Sequence, residues 1–290
     1  MSALPAGVWP AQVTPLRSPG ELDLPAVARL AASAVADGAA GVLVAGSTGE
    51  GALLGGADRR AVTAAAVDSG VTVISGASGS TVDDLHADVE RLAGVGAHAV
   101  LVLAPSTYPL TPDELVDVHV AVADRAEVPT LAYHIPQFTG SALSPEAVGA
   151  LAEHRNIVGL KDSSPDAQRR AAFVRAAGDR LAVFDGHAPT LAAALRDGVT
   201  GSITALANLR LHRILSLHAA VADDDHGTVE RLQGSLTATE EALRAVPGSM
   251  PAAVKAAMQL DGTLDERWCI PPLRSVPGKH LDLVRTALLR

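Results

Sequence analysis

Ile157-Val158-Gly159-Leu160-Lys161-Asp162-Ser163-Ser164-Pro165-Asp166 spells out a strand-to-helix joint. An apolar run of strand length comes first, and the Asp-Ser-Ser-Pro that follows has the composition of a turn into a helix N-terminus. Residues 166–177 then carry an Ala-rich amphipathic pattern of helical length. The joint sets Lys161 at the carboxyl end of a buried strand. An ammonium taken out of water there finds a partner or gives up its charge, and a neutral amine is a nucleophile toward ketones. The competing reading is a lysine whose stem lies along the strand end while its head stays in water.

Working outward, the same joint recurs. Strand-like runs fall at 8–14, 41–45, 71–75, 99–103, 129–133, 157–161, 181–184 and 201–204, with helical segments such as 24–37, 83–93, 112–123 and 166–177 between them. Several helices open with Ser or Thr before Pro and an acid: Thr111-Pro112-Asp113, Ser144-Pro145-Glu146 and Ser164-Pro165-Asp166. Strands alternating with helices in this way predict an α/β fold, a parallel (β/α)8 TIM barrel, with a doubly wound open sheet as second choice. Segments 228–245, 252–260 and 281–289 read as additional C-terminal helices. The expected organisation is a barrel over 1–225 and a helical extension over 226–290 packed on it as a single structural unit.

A chain of 290 residues, 48% hydrophobic, buries a large core. No apolar run is long enough to span a membrane and no signal pattern opens the chain, which predicts a cytoplasmic protein. A net charge of -9 with scattered basic residues argues against nucleic acid or an anionic membrane as partner. The single cysteine, Cys269, excludes an internal disulfide framework and any cysteine-rich metal site; it reads as a packing residue.

In a barrel of this kind catalytic groups come from the carboxyl ends of several strands. Here those ends carry Gly46-Ser47-Thr48-Gly49-Glu50-Gly51, Pro105-Ser106-Thr107-Tyr108, Tyr133-His134, Lys161-Asp162, Asp185-Gly186-His187 and Ile203-Thr204. The turn 46–51 offers backbone N–H groups and two hydroxyls, which suits a carboxylate or phosphate, although a plain strand-to-helix turn has the same composition. It lacks the Lys-Ser/Thr of a nucleotide-binding loop. Tyr133, one strand before Lys161, points into the same space and can pass protons to a lysine-bound adduct, or else is a core tyrosine. Together these residues describe Schiff-base chemistry on a 2-oxo acid: the turn holds the carboxylate, Lys161 condenses with the ketone, and no metal or other cofactor is required. Glu50 reads as a first-turn acid favouring the helix dipole, and Asp162 as a helix cap or an electrostatic partner of Lys161.

The chain resembles the family of pyruvate-dependent class I aldolases that contains dihydrodipicolinate synthase and N-acetylneuraminate lyase. The resemblance runs from Val13-Thr14-Pro15 through Gly46-Ser47-Thr48-Gly49-Glu50, Tyr133-His134-Ile135-Pro136 and Gly159-Leu160-Lys161-Asp162-Ser163-Ser164 to Gly201-Ser202-Ile203-Thr204. It implies that Lys161 is the Schiff-base lysine and Tyr133 the acid/base. Ser47 and Thr48 become the carboxylate-binding hydroxyls, with Thr48 also in a proton relay, and Gly46, Gly186 and Ile203 line the pyruvate pocket. Pyruvate and an aldehyde are the implied partners, and a homo-oligomer, dimer or tetramer, the implied assembly.

The departures bear on the second substrate. Thr107 stands where the synthase carries a tyrosine, with Tyr108 beside it as a substitute. Phe138 stands where the synthase carries a carboxylate-binding arginine, and cannot make the charge-assisted hydrogen bond that arginine makes. His134 replaces a common Asn, and Ser47 a common Thr. Thr107, Tyr108, His134 and Phe138 are therefore the expected acceptor-pocket residues. The resulting expectation is a class I lyase or aldolase on a 2-oxo-3-deoxy sugar acid or 4-hydroxy-2-oxo acid, with 4-hydroxy-tetrahydrodipicolinate synthase or a 2-oxo-sugar-acid dehydratase as alternatives. Two other classes compete: a metal-dependent aldolase using His134, Asp185 and His187, and a sensor that binds a 2-oxo acid without turnover.

Overall fold

The computed structural model describes residues 4–290. Eight parallel strands form one sheet: β1 (Gly7–Pro10), β2 (Val42–Val44), β3 (Val73–Ser78), β4 (Ala99–Leu103), β5 (Thr130–His134), β6 (Ile157–Asp162), β7 (Ala182–Asp185) and β8 (Gly201–Thr204). From β2 to β8 each strand pairs with the next in sequence, β1 pairs with β8, and a parallel bridge from Ala11 to Leu43 joins the two ends of this order. The ring closes where the first strand was expected to continue to residue 14. Ala11 N–H donates to the Thr204 carbonyl at 3.0 Å and Gln12 N–H to the Leu43 carbonyl at 2.8 Å. Successive residues thus bond to opposite neighbours, and the TIM barrel is confirmed.

Between the strands run α1 (Leu24–Ala36), α2 (Gly56–Asp68), α3 (Val82–Ala93), α4 (Pro112–Arg125), α5 (Pro145–Ala152), α6 (Ala167–Ala177), α7 (Leu191–Arg196) and α8 (Ala207–Ala222). Their starts follow from side-chain caps. Thr111 and Glu114 form a reciprocal capping box at α4, and Ser144 accepts from Ala147 N–H at α5. At α6 the cap is Asp166, whose carboxylate accepts from Arg169 N–H at 2.9 Å, two residues later than the Ser164 expected from sequence.

The additional helices are α9 (His226–Arg244), α10 (Met250–Leu260) and α11 (Leu281–Leu288). Val229, Leu232 and Leu236 of α9 and Val254 and Met258 of α10 share a buried cluster with Val8 and Val13 of the barrel. A second cluster fills the barrel axis, from Trp9 and Phe184, edge to face at 6.4 Å, up to Tyr133 and Ile203. No helix among the described residues is long and apolar enough to cross a membrane.

Candidate active site

The register of β5, β6 and β7 sorts the strand-end residues into two rows. Tyr133 pairs with Lys161, and Lys161 with Phe184; one residue on, His134 pairs with Asp162, and Asp162 with Asp185. Because side chains alternate along a strand, the first row faces the barrel axis and the second faces the helices. Lys161 therefore ends inside, only 3% exposed, with Nζ 4.6 Å from the centroid of the Tyr133 ring. Of the two readings of this lysine, the buried one holds.

Above Lys161 lies a cavity of about 120 Å³. Ser47, Thr48, Tyr133, Lys161, Gly186, Ile203 and Phe138 line it, as expected from sequence. Ser47 Oγ donates to the Tyr133 phenol at 3.3 Å, leaving the phenolic hydrogen free for a ligand. The hydroxyl in contact with Tyr133 is thus Ser47, where the relay was expected of Thr48. Gly186 is required by close approach: a Cβ there would fall 2.2 Å from Ser163 Oγ and 3.1 Å from Lys161 Cε.

The turn 46–51 is rigid for identifiable reasons. Ala45 and Glu50, neither a glycine, both adopt left-handed backbone, at φ 50° and 58°, a conformation that costs a non-glycine residue roughly 1–2 kcal/mol. Gly51 packs onto its own strand so closely that a Cβ would overlap the Ala45 carbonyl. Arg59 Nη1 donates to the Gly51 carbonyl at 3.0 Å, while Arg59 Nε holds Asp88 at 2.7 Å. Glu50 is not a helix-dipole acid. Its side chain is wholly buried against Lys255 of α10 and accepts from Ile270 N–H, while Lys255 Nζ donates to the Trp268 carbonyl at 2.8 Å. The C-terminal extension thereby grips the loop that carries Ser47 and Thr48.

The outward row corrects other expectations. His134 does not reach the cavity: its ring is buried behind the barrel wall, with Nδ1 2.8 Å from Asp162 Oδ1 and a T-shaped contact to Phe173 of α6, ring centroids 5.1 Å apart. Asp162 is not a helix cap either; the same Oδ1 accepts from Ser164 N–H at 2.9 Å, folding the turn after β6. Beside them Asp185 and Arg170, both fully buried, form an ion pair at 3.0 Å. Burial pushes the Asp185 carboxyl up to about 7, against the pull of Arg170, and the nearby Asp162 adds to the rise. His187, whose Nδ1 lies 3.0 Å from Thr190, is shifted down chiefly by burial. Among the described residues no three His, Cys, Asp or Glu side chains are placed to share a metal ion.

Thr107 and Tyr108 stay outside the cavity lining, and Tyr108 is 77% exposed. Gly46 lies in a small neighbouring crevice behind Tyr133. Sequence reading missed the outer wall, made of Gln137, Ser163 and, from the extension, Glu240, Leu243, Arg244, Met250 and Val254. Arg244 Nε and Nη2 both donate to Glu240 Oε1, at 3.1 and 2.6 Å. Burial raises the Glu240 carboxyl above its ordinary value, opposed by the Arg244 contact. The only signal for this wall was an i, i+4 acid–base spacing, which also marks ordinary surface helices.

A model of the dihydrodipicolinate synthetase family matches residues 4–289. A 4-hydroxy-tetrahydrodipicolinate synthase of Stenotrophomonas maltophilia is 32% identical over 281 residues, covering 96% of this chain and 94% of that one. An uncharacterised DapA-like lyase of Halobacterium salinarum is 34% identical, covering 95% of this chain and 89% of its own. The crystal structure of dihydrodipicolinate synthase from Thermotoga maritima has a TM-score of 0.92 at 25% identity, covering 99% of this chain and 98% of that one. Ruminococcus gnavus sialic acid aldolase shares the fold, with a TM-score of 0.91 at 23% identity over 98% of this chain and 96% of that one. Fold and relatives define a carbon–carbon lyase of the class I aldolase type, as the sequence reading expected. The chain belongs to the dihydrodipicolinate synthetase family.

Proposed function

We propose that Lys161 condenses with the ketone of pyruvate and that the resulting enamine makes or breaks a carbon–carbon bond with an aldehyde. The observation that carries the reading is Lys161 Nζ buried over the Tyr133 ring at 4.6 Å, in a cavity that is also lined by the hydroxyl residues Ser47 and Thr48. The Lys161 amine attacks the 2-oxo carbon, and loss of water leaves an iminium. A C3 proton then departs, and the nitrogen takes up the electron pair as an enamine. Its C3 attacks the aldehyde carbon, the new alkoxide takes a proton, and water releases the 4-hydroxy-2-oxo acid and restores the amine. Cleavage is the same path reversed.

Tyr133 is the group that gives and takes these protons, and Ser47 fixes the phenol by donating to its oxygen. Thr48 and the N–H groups of the turn bind the pyruvate carboxylate, and Ile203 and Gly186 line the same pocket. Every protein group used is on this chain, and the chemistry requires no metal or other cofactor. A crystal structure of Acinetobacter baumannii dihydrodipicolinate synthase, 24% identical, is a complex with pyruvate.

The favoured substrate is a 2-oxo-3-deoxy sugar acid or 4-hydroxy-2-oxo acid. Formation of 4-hydroxy-tetrahydrodipicolinate is the second reading, favoured by the synthase relatives at 30–35% identity and opposed by Phe138 at the cavity rim. A 2-oxo-sugar-acid dehydratase shares the same iminium. The enzyme acts in the cytoplasm as a homo-oligomer. A monomeric dihydrodipicolinate synthase variant is 26% identical, so sedimentation of the purified chain is the check on assembly.

Incubation with pyruvate and borohydride, followed by intact mass, tests the reading. Wild type is expected to gain one reduced pyruvate and Lys161→Ala none, with lyase turnover falling by a factor on the order of 10⁴ or more. A wild type that gains no adduct overturns the proposal.

A further inference from the structure

Among the described residues the cavity lining contains three formally charged side chains, Lys161, Glu240 and Arg244. Lys161 is committed to the 2-oxo acid, and the iminium it forms faces that substrate's own carboxylate. What an incoming aldehyde meets is therefore set by the other two. They stand one helical turn apart on α9, with the Glu240 side chain 9% exposed and that of Arg244 57% exposed, so the acid lies deeper and the guanidinium nearer solvent. Both recorded guanidinium contacts fall on Oε1. Oε2 is thus free of Arg244, and Arg244 Nη1 takes no part in the pair.

The pair is electrically balanced yet still offers an acceptor and a donor side by side. A vicinal diol matches it, since one hydroxyl can donate to the carboxylate while another accepts from the guanidinium. An aldehyde carrying a carboxylate does not match. Its anion would give up water beside Glu240, facing an arginine whose charge is already answered. Gln137 adds to the polar side: its Nε2 donates to the Ser163 carbonyl at 2.9 Å, leaving the amide oxygen as a further acceptor. Leu243, Met250 and Val254 supply an apolar wall for the carbon chain.

We propose that Glu240 and Arg244 are the specificity-determining residues for the acceptor, selecting an uncharged polyhydroxy aldehyde over one that bears a carboxylate. The inference rests on the lyase reading above and names the residues that choose its second substrate. Phe138, also in the lining, lets the selection act, because it adds no second cation to the cavity.

The test measures kcat/KM with pyruvate and either D-glyceraldehyde or succinic semialdehyde for wild type, Glu240→Gln and Arg244→Met. The borohydride adduct is checked in each protein. Wild type is expected to favour glyceraldehyde by about tenfold or more, the size of one charge-assisted hydrogen bond. Glu240→Gln frees the guanidinium and moves the ratio toward succinic semialdehyde by about tenfold. Arg244→Met weakens glyceraldehyde use without improving the anionic aldehyde. Arg244 is the more exposed partner, so this variant serves if Glu240→Gln fails to fold. A wild type that prefers succinic semialdehyde, or variants that leave the ratio within about twofold while still forming the adduct, overturns the selectivity proposal alone. Absence of the adduct in wild type overturns the lyase reading itself, and the proposal falls with it.

Discussion

At the inner end of the cavity the side chains proposed to do the chemistry, Ser47, Tyr133 and Lys161, sit on strand ends or in the turn 46–51. At the outer end Glu240 and Arg244 sit on the final turn of α9, a helix appended to the barrel. The inner set is held by backbone: strand register aligns Tyr133 with Lys161, and left-handed residues and closely packed glycines shape the turn. The outer set is held only by the way α9 docks. Groups that must meet the same atoms in every turnover are placed by covalent geometry and register. The groups proposed to choose among partners ride on an element outside the strand register that places the inner set.

That division predicts different kinetic signatures for substitutions at the two ends. Tyr133→Phe removes the phenolic proton without removing the ring over Lys161, so kcat is expected to fall about a hundredfold or more. The fall should be the same for every aldehyde, in contrast to substitutions at Glu240. Turnover series with both acceptors check this; a loss confined to one of them would mean that Tyr133 belongs to acceptor recognition and that the two ends are not separable.

Lys255→Met probes the place where the extension crosses to the inner end. It strands Glu50 as an unpaired buried acid beneath the turn, and removal of one partner of a buried pair costs about 3–5 kcal/mol. Urea unfolding is expected to show a loss of that size, with KM for pyruvate raised because the Ser47–Thr48 turn loosens. Combining it with Glu50→Gln should recover part of the stability, because the orphaned charge is then gone. An unchanged pyruvate KM with the stability lost would make the grip purely structural, and the inner end independent of α10.

These contrasts also explain what could be read before folding. The barrel was legible because eight short apolar runs are punctuated by helix starts whose chemistry is local, such as Thr111 with Glu114. Lys161, Tyr133 and Ser47 were legible because strand ends in such a barrel share one mouth. The expectation for His134 failed because a single residue of register turns a strand side chain from the axis to the helices. Glu50 misled because its sequence neighbourhood is a turn before a helix, whereas its partner Lys255 is 205 residues away and lies in an Ala-rich helix that advertises nothing. Glu240 and Arg244 resembled any i, i+4 pair, since only the docking of α9 reveals which helix face looks into the cavity.

The outward row supplies the smallest effect, about 1.4 kcal/mol per pH unit at its steepest. The Asp185 carboxyl, at about 7 in the folded chain against 3.8 as its ordinary value, holds its proton longer folded than unfolded. Between those two values the folded state binds more protons, so this group's stabilising contribution is full at low pH and is lost as pH rises through about 7. Asp185→Asn keeps the shape and cannot ionise. Its stability deficit relative to wild type is therefore expected to narrow from about pH 5 to about pH 8, in paired unfolding curves at each pH. A deficit that stays constant from about pH 5 to about pH 8 would mean that Arg170 outweighs burial and keeps Asp185 ionised throughout. The row behind Lys161 would then be a fixed charge pair, with the same rigidity as the inner end it supports.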